Sequence, residues 1–153
     1  APLQEVLPSL YAAHSERYAG YSIRQVCREM HAFYRSANIK ELQRQCFRES
    51  SFPELAMLPQ DAYRALVAND VDYLPLEQCQ GRISATLALI YPPGIGVVVP
   101  GERWDARARP MLDYFRAFEE SFNRFPGFNY EVQGVFQERI DGRIVFHTYV
   151  VRN

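Results

Sequence analysis

The chain has 153 residues, of which 48% are hydrophobic and 23% charged, and it contains ten tyrosines and ten phenylalanines. This length and composition predict one globular domain over residues 1–153 with a core dominated by aromatic rings. Basic and acidic residues are mixed along the chain and leave a net charge of -1, which argues against nucleic acid as a partner. No long apolar run and no signal peptide is visible. We therefore expect a cytoplasmic protein that has no membrane partner.

The cysteines and histidines show no spacing that suggests a metal site. Cys27, Cys46 and Cys79 are odd in number, widely spaced and without a C-x-x-C pair, so neither a disulfide framework nor a zinc site is predicted. We interpret them as small buried hydrophobic residues, and His31 as a helix residue that is hydrogen-bonded at the edge of the core. The chain begins without methionine, which is consistent with a piece of a longer protein.

Four helical segments are predicted in the first half of the chain. Residues 2–13 form a short helix, and a stronger helix follows Ser22, which has the capping-box spacing to Gln25. The apolar residues of this second helix fall on one face, namely Ile23, Val26, Cys27, Met30, Phe33, Tyr34 and Ala37. Two more helices are predicted over residues 39–48 and 59–68, after which residues 69–82 break the helical pattern.

Strands dominate the predicted second half. The alternating stretch 82–90 predicts a strand, and residues 97–99 predict a very short one. A long helix begins near Pro110 and carries an aromatic stripe at alternating steps of four and three, formed by Met111, Phe115, Phe118, Phe122 and Phe125. Residues 135–151 predict a β-hairpin around Asp141-Gly142, with a last strand that is covered on both faces.

This order of elements predicts an α+β fold. The helices lie mostly in the N-terminal part, and a small β-sheet with a C-terminal β-hairpin follows. The long helix with the aromatic stripe is expected to pack on that sheet.

The segment "IYPPGIGVVVPGERW" (residues 90–104) restricts its backbone unusually strongly. It is not predicted to bind phosphate, because the third glycine of a dinucleotide fingerprint is absent and a β-branched run follows in place of a helix. Instead, Pro92 and Pro93 hold Tyr91 in an extended conformation, Gly94 permits a turn, and Pro100-Gly101 form another turn. The sequence predicts a rigid strand, turn and strand.

"GRISATLALIYPPGIGVVVPGE" resembles the C-terminal domain of the bacterial ornithine/lysine/arginine decarboxylases. Residues 91–95 and 100–102 match the family signature of Tyr-Pro-Pro-Gly-Ile-Pro, a short apolar run and then Pro-Gly-Glu. "FNRFPGFNYEVQGVFQERIDGR" is similar to the terminal segment of that domain, and "CREMHAFY" to its early helix. Gly96 departs from the pattern, which has proline at this position, and should loosen the turn slightly.

The resemblance implies a homo-oligomeric parent enzyme that uses pyridoxal 5'-phosphate to decarboxylate a basic amino acid. In such enzymes a lysine holds the cofactor as a Schiff base, in a Ser-x-His-Lys context within a larger domain. The chain's only lysine, Lys40, stands in a different context, "NIKELQRQ". We therefore expect no cofactor and no activity in this chain alone, and a partner in the cofactor-binding domains of the same polypeptide.

The resemblance also implies a cationic substrate, for which a carboxylate near the entrance would be favourable. Glu102 is the candidate, with Asp105 behind it and Trp104 as a wall of the entrance. The alternative is structural: Glu102 or Asp105 caps the helix that begins near Pro110.

The sequence leaves two other classes of function open. One is a free-standing binding or interaction module that reuses the fold without chemistry. The other is an autonomous enzyme, which would depend on Lys40 as its only side-chain amine. The sequence does not distinguish lysine, arginine and ornithine as substrates.

Overall fold

The computed structural model describes all 153 residues and has an α+β fold, as predicted. Its helices are α1 (Leu3–Val6), α2 (Pro8–Ala13), α3 (Ser15–Tyr18), α4 (Ile23–Ser36), α5 (Ile39–Cys46), α6 (Pro59–Val67) and α7 (Arg109–Arg124). Its strands are β1 (Val71–Pro75), β2 (Ala88–Tyr91), β3 (Gly96–Val98), β4 (Glu131–Gln133), β5 (Phe136–Ile140) and β6 (Arg143–Val151). None of these helices has both the length and the apolar character that a bilayer crossing requires.

The strands form two antiparallel sheets of three strands each, where the sequence suggested one small sheet. The first has the order β1-β6-β5 and the second β3-β2-β4. β5 and β6 are the predicted hairpin, and both residues of its turn have positive φ, 50° at Asp141 and 79° at Gly142. These angles are typical of the type I′ turn that Asp-Gly favours.

The predicted aromatic stripe of α7 fills the main core. Met111, Phe115, Phe118 and Phe122 are all buried on this helix. The ring of Phe122 packs edge-to-face against Phe146 of β6, with 5.2 Å between the ring centroids. The helix therefore joins the first sheet to the core, as the spacing of its apolar residues predicted.

Two polar side chains of α7 also bind the backbone of β6. The Asn123 side chain accepts a hydrogen bond from the N–H of Ile144 at 2.7 Å and donates one to its carbonyl at 2.8 Å. Glu119 accepts a hydrogen bond from the N–H of Phe146. β1 pairs only with residues 147–151 of β6, so α7 supplies partners that β1 leaves unmet.

The N-terminal half agrees with its sequence pattern except at one break. Ser22 and Gln25 form the predicted capping box at the start of α4. The single helix predicted over residues 2–13 is divided between α1 and α2, because Pro8 has no N–H to continue a helix and is instead the first residue of the next one. A further short helix, α3, was not predicted.

The strand predicted over residues 82–90 begins only at Ala88. The hydroxyl of Ser84 donates to the carbonyl of Thr86 at 2.9 Å, and the hydroxyl of Thr86 donates to the carbonyl of Gly134 at 2.8 Å. Such local side-chain bonds compete with a regular ladder. Burial does not alternate along this segment, since Ser84, Ala85 and Thr86 are all buried and Leu87 is exposed.

The sequence predicted neither β4 nor β1, and β1 is the strand that completes the first sheet. It lies within residues 69–82, contains Asp72 and Pro75, and pairs on one side only, with β6. Proline is tolerated in such an edge strand because one of its sides needs no donor. A five-residue strand that contains a proline and only one charged residue carries too weak an alternation to be recognised alone.

The cysteine prediction is correct for two residues and wrong for the third. Cys46 and Cys79 are buried, and burial raises the pKa of each thiol to about 12. Cys27 is exposed on α4, because it lies just outside the buried face that includes Val26 and Phe33. His31 is also exposed and forms no hydrogen bond, so its expected place at the edge of the core is wrong.

Candidate functional site

The first turn of the candidate site connects β2 to β3. Tyr91–Pro92 and Pro92–Pro93 are both cis peptide bonds, and the N–H of Gly94 donates to the carbonyl of Ile90 at 3.2 Å. Gly94 has a φ of 78°, and a Cβ atom built there would lie 2.8 Å from the ring of Tyr91. The turn therefore depends on glycine for its backbone conformation and for the ring that covers it.

Gly96, the departure from the family signature, lies where a side chain would meet Leu87. A Cβ atom at this position would come within 2.8 Å of Leu87 Cδ1, the flexible end of an exposed side chain. Gly96 pairs with Leu89 beside an irregularity in the β2–β3 ladder. The glycine therefore allows Leu87 to lie across β3.

The second turn places Gly101 between two other segments of the chain. Its N–H donates to the carbonyl of Ser84 at 2.8 Å, and its carbonyl accepts hydrogen bonds from Ala56 at 3.0 Å and Met57 at 3.2 Å. Its φ is 91°, and a Cβ atom there would lie 2.2 Å from the carbonyl oxygen of Met57. Only glycine fits this position without displacing backbone.

Glu102 closes that second turn with its own side chain. Its Oε2 accepts a hydrogen bond from the N–H of Val99 at 2.8 Å, and its N–H donates to the carbonyl of Val99 at 3.1 Å. Its Oε1 forms no hydrogen bond within the chain. The pKa of Glu102 lies above its ordinary value, mainly because of burial. The Val99 N–H lowers the pKa, and the negative charge of Asp105 raises it. The carboxyl group is half-buried, with one oxygen engaged and one available.

Asp105 connects two loops and the entry to α7. Its Oδ1 accepts hydrogen bonds from the N–H groups of Arg107 at 2.9 Å and Ala108 at 3.0 Å, and its Oδ2 accepts one from Glu54 at 3.0 Å. Burial alone would raise its pKa, but the three N–H donors outweigh that effect and hold the pKa below the ordinary value. Asp105 therefore makes the bonds expected of a residue capping the segment before α7, whereas Glu102 does not.

Trp104 lies in the core. It is 1% exposed and packs edge-to-face against Phe115 of α7 at a centroid distance of 6.3 Å. Its N–H and carbonyl pair with Arg82 and Gly81, at 2.9 Å and 2.6 Å, while its indole Nε1 has no hydrogen-bond partner. In this structure the indole is therefore a core group with no exposed face.

Residues 54–57 complete the site, and sequence reasoning missed them. Besides the Gly101 and Asp105 bonds, Leu55 pairs with Glu102, and the side chain of Arg103 binds the Glu54 carboxylate at 2.9 Å. The segment is irregular and has no periodicity of its own. Its only signal in the sequence is the pair of prolines at 53 and 59 that flank it.

Neither a metal nor the cofactor that the resemblance implies has a suitable set of residues here. No group of three or more His, Cys, Asp or Glu side chains could hold a metal ion. Lys40 is exposed at the start of α5, beside a cavity that no carboxylate lines. A Schiff-base lysine for pyridoxal phosphate works with a carboxylate that pairs with the pyridine nitrogen. Lys40 does not fit that role.

Comparison with known proteins gives consistent matches over nearly the whole chain. Residues 40–152 match the family model described as "Orn/Lys/Arg decarboxylase, C-terminal domain". The chain is 49% identical over 152 residues to the inducible ornithine decarboxylase of Escherichia coli, and 46% identical over 150 residues to the ornithine decarboxylase of Haemophilus influenzae. It is 41% identical over 136 residues to the lysine decarboxylase LdcA of Pseudomonas aeruginosa. These alignments cover 99%, 97% and 88% of the chain.

Solved structures agree in fold. Lysine decarboxylase A from Pseudomonas aeruginosa superposes with a TM-score of 0.88 at 33% identity, over 99% of this chain. The constitutive lysine decarboxylase of Escherichia coli gives a TM-score of 0.85 at 29% identity, also over 99%. The chain spans only about a fifth of each relative, between 18% and 21% of its length.

Proposed function

Since this chain belongs to the family of the C-terminal domain of ornithine/lysine/arginine decarboxylases, we propose that it is a single domain over residues 1–153 that serves a larger decarboxylase as an accessory part. In this proposal the remaining domains of the polypeptide hold pyridoxal phosphate, which acts as electron sink when bound there. The chain helps to close the active-site cleft and supports the packing of a cytoplasmic homo-oligomer. The observation that carries the proposal is the match over nearly all of this chain and only a fifth of each relative.

An exposed apolar surface beside the candidate site supports this role. Five large side chains of residues 52–67 are between 49% and 69% exposed, namely Phe52, Leu55, Leu58, Tyr63 and Val67. The same segment hydrogen-bonds to Gly101 and Asp105. Because several exposed apolar side chains on one segment are typical of an interaction surface, we expect other domains of the parent to cover them.

Ornithine is the substrate that we propose for the parent. The two relatives at 49% and 46% identity are named as ornithine decarboxylases, and the one at 41% as a lysine decarboxylase. Ornithine carries a cationic side chain, which suits a carboxylate at the entrance.

The test compares the full-length polypeptide with the 153-residue chain, each supplied with pyridoxal phosphate. We expect the full-length protein to release carbon dioxide from ornithine faster than from lysine or arginine, and the chain alone to release none. Carbon dioxide release by the chain alone would overturn the accessory role. A full-length protein that acts on none of the three amino acids would favour a binding module.

We propose Glu102 as the carboxylate at the entrance, and predict that Glu102→Gln raises KM for ornithine in the full-length enzyme with little change in kcat. Glutamine can still accept the Val99 hydrogen bond, so the turn is kept and only the charge is removed. One charge pair in water at 4 Å is worth about 1 kcal/mol, which is about a fivefold change in KM.

Steady-state kinetics at low salt measure this effect, and Glu16→Gln is the matched control. Glu16 is exposed on α3 and forms no ion pair. Equal KM values for the Glu102→Gln variant and the unaltered enzyme would leave Glu102 with a structural role alone.

A further inference from the structure

A cavity of about 530 Å³ lies at the junction of α4, α5 and α7. None of the candidate-site residues lines it. Its volume is within the range of small-molecule sites, roughly 300 to 1,000 Å³. The side chains that matter for binding are three aromatic rings and three basic groups. No carboxylate lines the cavity.

The aromatic part is a cluster formed by Tyr34, Phe118 and Tyr130. The ring centroids of Phe118 and Tyr130 are 5.2 Å apart in an edge-to-face arrangement, and Tyr34 lies 6.4 Å and 6.3 Å from them. The hydroxyl of Tyr34 is hydrogen-bonded to Ser121 at 3.1 Å. Burial raises the pKa of Tyr34 to about 12, so the phenol carries no charge at neutral pH. Tyr130 is exposed, Tyr34 is half-buried and Phe118 is buried beside them, so a flat ring in the cavity can pack mainly on the two tyrosines.

The basic groups are His31 and Arg35 from α4 and Lys40 from α5. Most arginines of this chain form an ion pair with a carboxylate, but Arg35 and Lys40 form none. Two full positive charges therefore stand beside the aromatic cluster without a counter-charge from the chain. They favour an anion in this cavity.

We propose that this cavity binds a small aromatic anion, whose ring packs on the Tyr34, Phe118 and Tyr130 cluster and whose charged group pairs with Arg35 and Lys40. Aromatic rings alone would also attract a cation. The basic side chains of the same cavity exclude that alternative, because like charges brought together are unfavourable. This site does not depend on the proposed role in a decarboxylase.

The test titrates the 153-residue chain with three probes at low salt, followed by two-dimensional ¹⁵N–¹H NMR. Phenyl phosphate has both the ring and the negative charge, inorganic phosphate has the charge alone, and benzylammonium has a ring with the opposite charge. We expect saturable binding of phenyl phosphate, at least about tenfold tighter than either other probe. The shift changes should be confined to residues near 31–43, 118 and 130.

Two variants test the basic and the aromatic part of the site, and a third is the control. Arg35→Gln combined with Lys40→Gln should weaken phenyl phosphate binding by at least about tenfold, and Tyr130→Ala by about fivefold. Arg139→Gln is the control, because Arg139 also forms no ion pair but lies on β5 and does not line the cavity. Circular dichroism checks that each variant is folded.

Several results would overturn the proposal. They are equal binding of inorganic phosphate, tighter binding of benzylammonium, shift changes elsewhere in the chain, or an equal loss of affinity in the Arg139→Gln control.

Discussion

Gly101→Ala is expected to lower the free energy of unfolding of the chain by about 4 kcal/mol, since it combines a strained backbone with an overlap of backbone atoms. The added Cβ would lie 2.2 Å from the carbonyl oxygen of Met57, and φ at Gly101 is 91°. Residue 101 also bonds to Ser84, Ala56 and Met57, so the backbone cannot shift without breaking one of these contacts. Urea unfolding followed by the fluorescence of Trp104, the only tryptophan and a buried one, measures the change.

Gly81→Ala separates the two causes. Gly81 has a similar φ of 82°, but nothing lies within 4 Å of a Cβ built there. The Gly81→Ala substitution should lower the free energy of unfolding only by the cost of the strained backbone, about 1 to 2 kcal/mol. Equal losses in the two variants would show that the contact with Met57 is not significant.

The second large effect is expected for Asp105→Ala, which removes the acceptor of three backbone N–H groups. Loss of a capping carboxylate, together with a charged hydrogen bond to a second loop, should lower the free energy of unfolding by about 3 kcal/mol. Asp113→Ala is the matched control. The Asp113 carboxylate forms only an exposed pair with Arg109, so its loss should cost less than about 0.5 kcal/mol.

The effect of Asp105 should also depend on pH. Its pKa in the folded chain lies below the ordinary value of 3.8, so the stabilisation is complete above that value and is lost as pH falls through the folded pKa. The difference in stability between the unaltered chain and Asp105→Asn should therefore be constant at neutral pH and shrink below about pH 4. A difference that persists unchanged into strong acid would mean that the charge of Asp105 is not what stabilises the loops.

The helices and the hairpin could be predicted because their determinants are local. The Ser22 and Gln25 capping box, the stripe from Met111 to Phe122 and the Asp141-Gly142 turn each act over a few residues. The strand predicted from residue 82 was too long because its first residues are held by distant partners, which a local pattern does not show. The hydroxyls of Ser84 and Thr86 bind partners that include Gly134, which is far away in sequence.

The candidate site divides in the same way between local and distant contacts. The sequence indicated that Pro100-Gly101 form a turn and that an acid follows it, and Glu102 indeed closes that turn through Val99. It gave no sign that residues 54–57 approach this turn, because those bonds run from backbone to backbone or to a carboxylate about 50 residues away. It also assigned Trp104 to an entrance, since a sequence does not show which side of a turn faces the core.

The sequence by itself determined the α+β class, the family and the rigid turns, because these depend on periodicity, on short motifs and on the limited conformations of proline and glycine. Only the tertiary structure decided that β1 joins β6, that Trp104 is buried, and that Arg35 and Lys40 stand beside an aromatic cavity without counter-charges. Each of these depends on which distant segments of the chain come together. Such contacts depend on how the whole fold closes, which no local pattern encodes.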